Sequence, residues 1–418
     1  MKYAHLVLAC SLFCHPGQSQ TYSLSQILDS ISSSNASMKM YDAQVNSLDA
    51  AARGARNWMA PQVSTGLWMA PYNINLWKGD GKGGTGMGQY MVSAEQMFPV
   101  KKLNDANEAY MKSMSSVEKE NKQAVLNELF AVAKHNYYAW IILQKKLSVL
   151  TESEHILKLI IGSAENRYKN GLEKINAYYK AKAALGNLES MRISEENEIG
   201  QKRIVLNTLM NRDKSALLQV DTNYVWMDYS GQSFDSSLIY ERRSDLRAID
   251  RNIQLLALQQ NMERAGLKPQ FGVRYDHMFG FGGLPMQYSL MGMVRIPVNR
   301  STRSNKANME SLSWKSQSLE EQKHSLANEY EGMAAGLQKN MAAKKKQLLL
   351  YENNILPSLK NNFEVMRLAF EQDTQELFEL YDAWFTLTSS RMEYIDLLGQ
   401  LMDLQVDFEK ILQIKPHE

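Results

Sequence analysis

Residues 268–279 read KPQFGVRYDHMF, and their side chains alternate between two chemical classes. Successive residues of a β-strand point to opposite faces. One face would then carry Phe271, Val273, Tyr275, His277 and Phe279. The other would carry Gln270, Gly272, Arg274, Asp276 and Met278. The stretch therefore predicts a strand with one apolar face and one polar face.

Three further stretches have the same alternation, and the sequence predicts strands at about residues 61–72, 88–98, 269–279 and 286–296. Alternating strands of about 10 residues are typical of a membrane β-barrel. An antiparallel sheet that packs one face on a soluble core has the same pattern, so the strands alone leave both interpretations open. The export signal and the lack of a compact helical domain favour the barrel.

The rest of the chain is predicted to be helical. No proline occurs between Pro99 and Pro269, so a helix can run from Asn104 to Lys169 without interruption. At 1.5 Å per residue it would be about 100 Å long. Apolar residues recur in steps of three or four, as at Leu397, Leu401 and Leu404. This spacing predicts helices that pack side by side as in coiled coils.

The chain carries an internal duplication. Residues 35–63 align without gaps on residues 243–271, where Asp42 matches Asp250 and Pro61 matches Pro269. The segment FPVKK at 98–102 corresponds to IPVNR at 296–300. These matches predict a first repeat at 20–213, a linker at 214–235 and a second repeat at 236–418. The unit is too long for a solenoid repeat.

The N-terminus is typical of a secretory signal peptide at residues 1–19, with one lysine, an apolar stretch and small residues before the cut. Lipidation at Cys10 is a less favoured alternative. Both cysteines, Cys10 and Cys14, lie in this segment, so the exported chain would have no disulfide and no cysteine metal site. No later apolar run reaches the roughly 18 residues that a spanning helix needs.

The charge balance argues against binding of nucleic acid. Lys and Arg total 47 against 45 Asp and Glu, which gives no basic surface for nucleic acid.

Strands in lipid must close into a barrel of at least about eight strands, and one chain supplies four. Two copies would enclose a filled interior, whereas three would give about twelve strands and a possible aqueous lumen. No catalytic or cofactor motif is present, so neither an enzyme nor a cofactor is expected.

The order of elements, together with several short motifs, resembles the TolC family of outer-membrane factors. The motifs are WMAPQV at 58–63, RSDLRA at 243–248, AGLKPQF at 265–271 and RYKNGLEKINAYYKAKAAL from Arg167. The resemblance implies a mainly α, tandem-duplicated protomer whose helices form a periplasmic α-barrel. It implies a homotrimer with a twelve-stranded β-barrel in the outer membrane of a Gram-negative bacterium. The implied partners are a periplasmic adaptor protein, an inner-membrane pump, proton-driven or of the ABC type, and the lipid bilayer.

The resemblance also places two hairpin tips that meet the adaptor, at about 167–173 and 370–375. The matching residues are Arg167, Tyr168, Asn170, Gly171, Leu172, Phe370, Asp373 and Gln375. Gly171 supplies the turn, while Asp373 replaces the usual glycine of the second tip. Some members close the tip with a tyrosine, an arginine and an acid. Phe370, Gln375 and Ala177 occupy those positions, so this ionic latch is not expected.

The predicted lumen-facing charges are Glu95, Arg274, Asp276 and Arg295. They could tune selectivity, although charges inside a wet barrel are more often merely solvated, which is the favoured interpretation.

The chain has 24 methionines, some of them on predicted strands. Thioethers suit Cu(I), but Met is also a helix former and a flexible packing residue. The packing role is favoured, and no metal site is expected.

These inferences predict a passive outer-membrane exit channel of a tripartite efflux system for small molecules such as drugs or heavy-metal ions. A channel for type I protein secretion would have the same fold, and the sequence does not separate the two. A soluble periplasmic coiled-coil scaffold or adhesin is the alternative from a different class.

Overall fold

The computed structural model describes residues 21–79, 84–171, 175–223, 227–230, 237–372 and 374–414 of the 418-residue chain. The predicted signal peptide at 1–19, with Cys10, lies outside these residues. So do Leu172, Asp373 and part of the predicted linker, and the side chain of Ala177 is likewise outside the description.

Long helices dominate the described chain. They are α1 (Leu24–Ser34), α2 (Ala36–Arg53), α3 (Lys101–Lys169), α4 (Ile175–Leu209), α5 (Ser237–Arg242), α6 (Ser244–Gly266), α7 (Arg303–Leu350), α8 (Leu356–Glu371) and α9 (Leu377–Leu412). A π-helical turn at Tyr351–Ile355 joins α7 to α8. The strands are β1 (Thr21–Tyr22), β2 (Gln62–Trp68), β3 (Gln89–Phe98), β4 (Gln219–Val220), β5 (Gln270–Gly280) and β6 (Gln287–Arg295).

The duplicated architecture is confirmed by the order of these elements. One half runs α2, β2, β3, α3 and α4, and the other runs α6, β5, β6, α7–α8 and α9. Both long helical segments lie where the sequence lacks helix-breaking residues or places proline at a helix start. Pro357, for example, lies in the first turn of α8, directly after the π-helical turn that interrupts the regular α-helical hydrogen-bond pattern.

The chain divides into two compact units, and each takes segments from both predicted repeats. The first contains Met1–Lys39, Val125–Arg242 and Tyr330–Glu418. Its core lies between α3, α4, α8 and α9, with fully buried side chains such as Ile141, Leu150 and Leu157. The short strands β1 and β4 pair in parallel within this unit.

The second unit contains Met40–Ala124 and Arg243–Glu329. It holds an antiparallel sheet in the order β2-β3-β5-β6. Ion pairs tie its helices together: Lys323 Nζ lies 2.7 Å from Asp250 Oδ1, and Arg247 Nε lies 2.9 Å from Glu120 Oε2. Among the described residues of the chain, no helix combines the length and apolarity needed to cross a membrane.

Candidate functional site

The strand register brings the polar faces of four strands together as rows. One row runs Gln62, Glu95, Arg274 and Met291 across β2, β3, β5 and β6. The next row runs Ser64, Ser93, Asp276 and Ser289. The alternation seen in the sequence therefore places these side chains on one common surface, called here the polar face.

Asp276 is the centre of a hydrogen-bonded cluster on the polar face. Its carboxylate accepts hydrogen bonds from Ser93 Oγ at 2.5 Å, Arg274 Nε at 2.8 Å and Ser289 Oγ at 2.9 Å. The residue is only 1% exposed. A buried carboxylate is tolerated because a guanidinium and two hydroxyls satisfy it. Arg274 and Asp276 of β5 thus form a neutral pair, which hydrogen bonds to Ser93 of β3 and Ser289 of β6 hold in place.

The predicted lumen residues separate into two groups. Glu95 lies opposite Arg274 in the register, next to the Asp276 row, so three of the four charges are neighbours. Arg295 lies at the end of β6, opposite Gln270. The prediction named no serine, although Ser93 and Ser289 complete the cluster. Their place on the polar face follows from alternation, but their contact with Asp276 depends on the cross-strand register.

The opposite surface of the sheet, called here the apolar face, is exposed. Phe279 is 39% exposed and Tyr288 is 74% exposed, whereas Val92 on β3 is half-buried. Between these limits lie Val63, Leu67, Tyr90, Phe271, Val273, Tyr275, Leu290, Val294 and Ile296. A sheet of a water-soluble domain buries its apolar face and exposes its polar one. Here the polar face holds the buried residues and the apolar face is open.

The sheet has two open edges within the described residues. β2 pairs only with β3, and β6 pairs only with β5. Each edge strand presents a row of unpaired backbone donors and acceptors, which serves as a template for another strand. All three pairings are antiparallel, so β2 and β6 run in opposite directions. An edge β6 of one copy could therefore pair antiparallel with β2 of another.

The first hairpin tip follows α3. Gly171 donates its N–H to the Tyr168 carbonyl at 3.0 Å and has a φ of 71°, a left-handed conformation that glycine adopts without strain. Asn170 donates its N–H to the Asn166 carbonyl at 3.2 Å. Tyr168 is 46% exposed. The predicted tip residues Tyr168, Asn170 and Gly171 therefore lie together at the end of a helix.

The second tip follows α8. The Thr374 N–H and hydroxyl both donate to the Ala369 carbonyl at 2.9 Å, which caps the helix end. Gln375 is half-buried just before α9 begins at Leu377. Phe370, in the last turn of α8, is buried at 7% exposure.

Cationic side chains of the first hairpin lie over aromatic rings of the second. Arg167 Cζ is 4.8 Å from the centroid of the Phe370 ring. Lys180 Nζ is 3.9 Å from the Phe378 centroid and 4.8 Å from that of Tyr381. Burial, with the nearby Asp382 charge, raises the pKa of Tyr381, so its ring stays neutral. Sequence reasoning missed this set, since pairs about 200 residues apart leave no local signal.

No protein-family model and no curated protein matches this sequence. Solved structures do match it over nearly its whole length. The outer-membrane channel OprN shares 13% identity at a TM-score of 0.74, covering 93% of this chain and 89% of its own. VceC of Vibrio cholerae shares 14% at 0.72, covering 93% and 95%. CusC shares 15% at 0.73, covering 96% and 95%. The chain has the TolC-like fold of these outer-membrane channels.

Proposed function

We propose that this chain is the protomer of a trimeric outer-membrane efflux channel. The single observation that carries the proposal is the inverted sheet, with an exposed apolar face and a polar face that buries Asp276. Such a sheet matches the wall of a membrane β-barrel, whose outward face is apolar and whose interior is polar. The soluble scaffold would leave the whole apolar face in water, and it is the weaker alternative for that reason.

Closure of the sheet requires other copies. Four strands with open edges at β2 and β6 would leave unpaired backbone groups in lipid. Each such group would cost roughly 2–7 kcal/mol. Pairing β6 with β2 of the next copy satisfies both edges and continues the antiparallel order. Three copies give about twelve strands, wide enough for an aqueous lumen lined by the polar face.

The predicted tip residues are proposed to form the periplasmic end and to meet an adaptor protein there. Arg167, Tyr168, Asn170, Gly171, Phe370 and Gln375 lie at or near the helix ends that would make this contact. The cation–π contacts of Arg167 and Lys180 would hold the two hairpins together in place of an ionic latch. An inner-membrane pump would supply the energy, since the channel itself has no catalytic site in this proposal.

The experiment uses thiol accessibility, because both native cysteines lie in the predicted signal peptide. Met291→Cys places a thiol on the polar face, and Leu290→Cys places one on the apolar face of the same strand. Purified channels are inserted in planar bilayers and treated with a charged, water-soluble thiol reagent. The reagent should reduce the conductance of the Met291→Cys channel and leave that of Leu290→Cys unchanged.

Two results would contradict the proposal. One is a mature chain that stays monomeric and monodisperse in buffer without detergent. The other is equal modification of both thiols by the water-soluble reagent.

A further inference from the structure

Two methionines of the polar face converge over a glycine. Met97 on β3 and Met293 on β6 both pair with Gly272 on β5, which lies between them. Neighbouring strands are about 4.8 Å apart, so the two methionine backbones are separated by about two such spacings. Because Gly272 carries no side chain, both long thioether side chains can lean over it.

The geometry shows how closely they approach the same spot. A Cβ added to Gly272 would lie 2.4 Å from Met97 Sδ and 3.2 Å from Met293 Cε. Gly272 itself is buried, and its φ lies outside the left-handed region. The glycine is therefore required by space, not by backbone conformation. The space is taken by the two thioether ends and by the Gln96 carbonyl oxygen, 2.9 Å from the added Cβ.

The charges around this spot balance, so they do not repel a cation. Glu95 lies on the same face two residues from Met97. Arg274, opposite Glu95, is neutralised by Asp276 at 2.8 Å. The remaining nearby charge is Arg295, two residues beyond Met293 and exposed at the end of β6. Glu95 thus offsets Arg295, and the neutral Arg274–Asp276 pair adds no net repulsion.

We propose that Met97 and Met293 form a binding site above Gly272 for a soft monovalent cation, Cu(I) or Ag(I). Thioether sulfur is a soft, neutral ligand that selects Cu(I) and disfavours hard ions such as Mg²⁺ or Ca²⁺. This inference deepens the proposed function, on which it rests for access from the lumen, by naming a class of exported substrate. Met291, 44% exposed and next but one to Met293 on the same face, would receive an ion that leaves the site.

Methionine can also serve as adaptable packing, and the test separates that role from ligation. The detergent-solubilised full-length trimer is titrated calorimetrically with Ag(I) in chloride-free buffer. The double variant Met97→Leu/Met293→Leu keeps side-chain volume and removes both sulfurs. The matched control is Met91→Leu/Met278→Leu, a directly opposed pair on the same face. We expect one tight site per protomer, weakened more than about tenfold in the first variant and retained in the control.

The proposal is overturned if the first variant binds Ag(I) as the native channel does, or if both variants lose binding equally. Conductance of the same samples in planar bilayers separates this inference from the proposed function. If the native protein conducts but lacks the tight site, the metal-site inference is wrong and the channel proposal stands. If it binds Ag(I) tightly but does not conduct, the channel proposal is wrong and the metal site stands.

Discussion

Lys134 Nζ lies 2.6 Å from Glu409 Oε2, and both side chains are only 9% exposed. Gln405 Nε2 donates to the other carboxylate oxygen at 2.7 Å, and the Tyr229 hydroxyl reaches it at 3.4 Å. The pair therefore joins α3 to α9 inside the first compact unit. A charge in such a place is stable only while its partner remains.

Removing one member of this pair should destabilise the protein strongly. Lys134→Met leaves the Glu409 carboxylate buried without its cation, which we expect to lower the free energy of unfolding by about 3–5 kcal/mol. Urea denaturation followed by helical circular dichroism measures the change. Lys134→Met/Glu409→Gln should recover much of the loss. The exposed pair Lys169–Glu165 provides the control, since Lys169→Met should have no measurable effect.

His135 should make stability depend on pH. Its Nδ1 lies 2.7 Å from Asp403 Oδ1 and its Nε2 lies 3.1 Å from Asp407 Oδ1. The hydrogen bond to Asp403, with the charges of both carboxylates, raises the pKa of His135 above 6.5 despite partial burial. Only the doubly protonated ring can donate to both acids.

The sign of the pH effect follows from that direction. A raised pKa stabilises the folded state fully below the unfolded value of 6.5, and the contribution is lost as the pH rises through the folded value. His135→Gln should therefore cost more stability at about pH 5.5 than at about pH 9. Paired urea titrations at the two pH values measure the difference. Asp403→Asn should reduce the pH dependence, and an unchanged dependence would contradict the assignment.

The Arg274–Asp276 pair should set the charge of the proposed lumen. Asp276→Asn leaves an unneutralised guanidinium and should shift ion selectivity toward anions, whereas Arg274→Gln should shift it toward cations. The reversal potential of single channels in a salt gradient measures both shifts. Asp250→Asn, which breaks an ion pair between helices, is the matched control and should not move the potential. Shifts of the same sign in both lumen variants would contradict the neutral-pair account.

The cation–π contacts at the tips should restrain opening of the proposed channel. Arg167→Gln/Lys180→Gln removes contacts worth about 0.5–1 kcal/mol each at exposed sites, and should increase basal conductance. Lys182→Gln is the control, because Lys182 lies over Tyr178 of the same helix. Equal conductance of the double variant and the control would show that these contacts do not restrain the tip.

Gly272 should not tolerate a side chain. Gly272→Ala would place Cβ 2.9 Å from the Gln96 carbonyl oxygen as well as against Met97, so we expect destabilisation of about 1–3 kcal/mol. Gly292 lies opposite Val273, on the other face of the sheet, and has no atom within 4 Å of an added Cβ. Gly292→Ala should be neutral or slightly stabilising. Thermal unfolding of the detergent-solubilised variants compares them.

The sequence predicts the elements well because each depends on local signals. Alternation assigned Arg274 and Asp276 to one face, and the lack of proline predicted the long helix that α3 forms. The contacts that build the site are not local. Ser93 and Asp276 are 183 residues apart, and their hydrogen bond depends on a register that no single strand encodes. The same holds for Met97 and Met293, whose meeting needs a glycine on a third strand.

The π-helical turn at Tyr351–Ile355 affects how the two halves of the chain can be compared. The segment made of α7, this turn and α8 has the same length as α3, 69 residues. A π turn winds one residue more per turn than an α turn, so every position beyond it is rotated by about 100°. Two segments of equal length thus present different residues to their neighbours after this point. Superposing the halves by residue count alone would pair inward side chains of one with sideways side chains of the other.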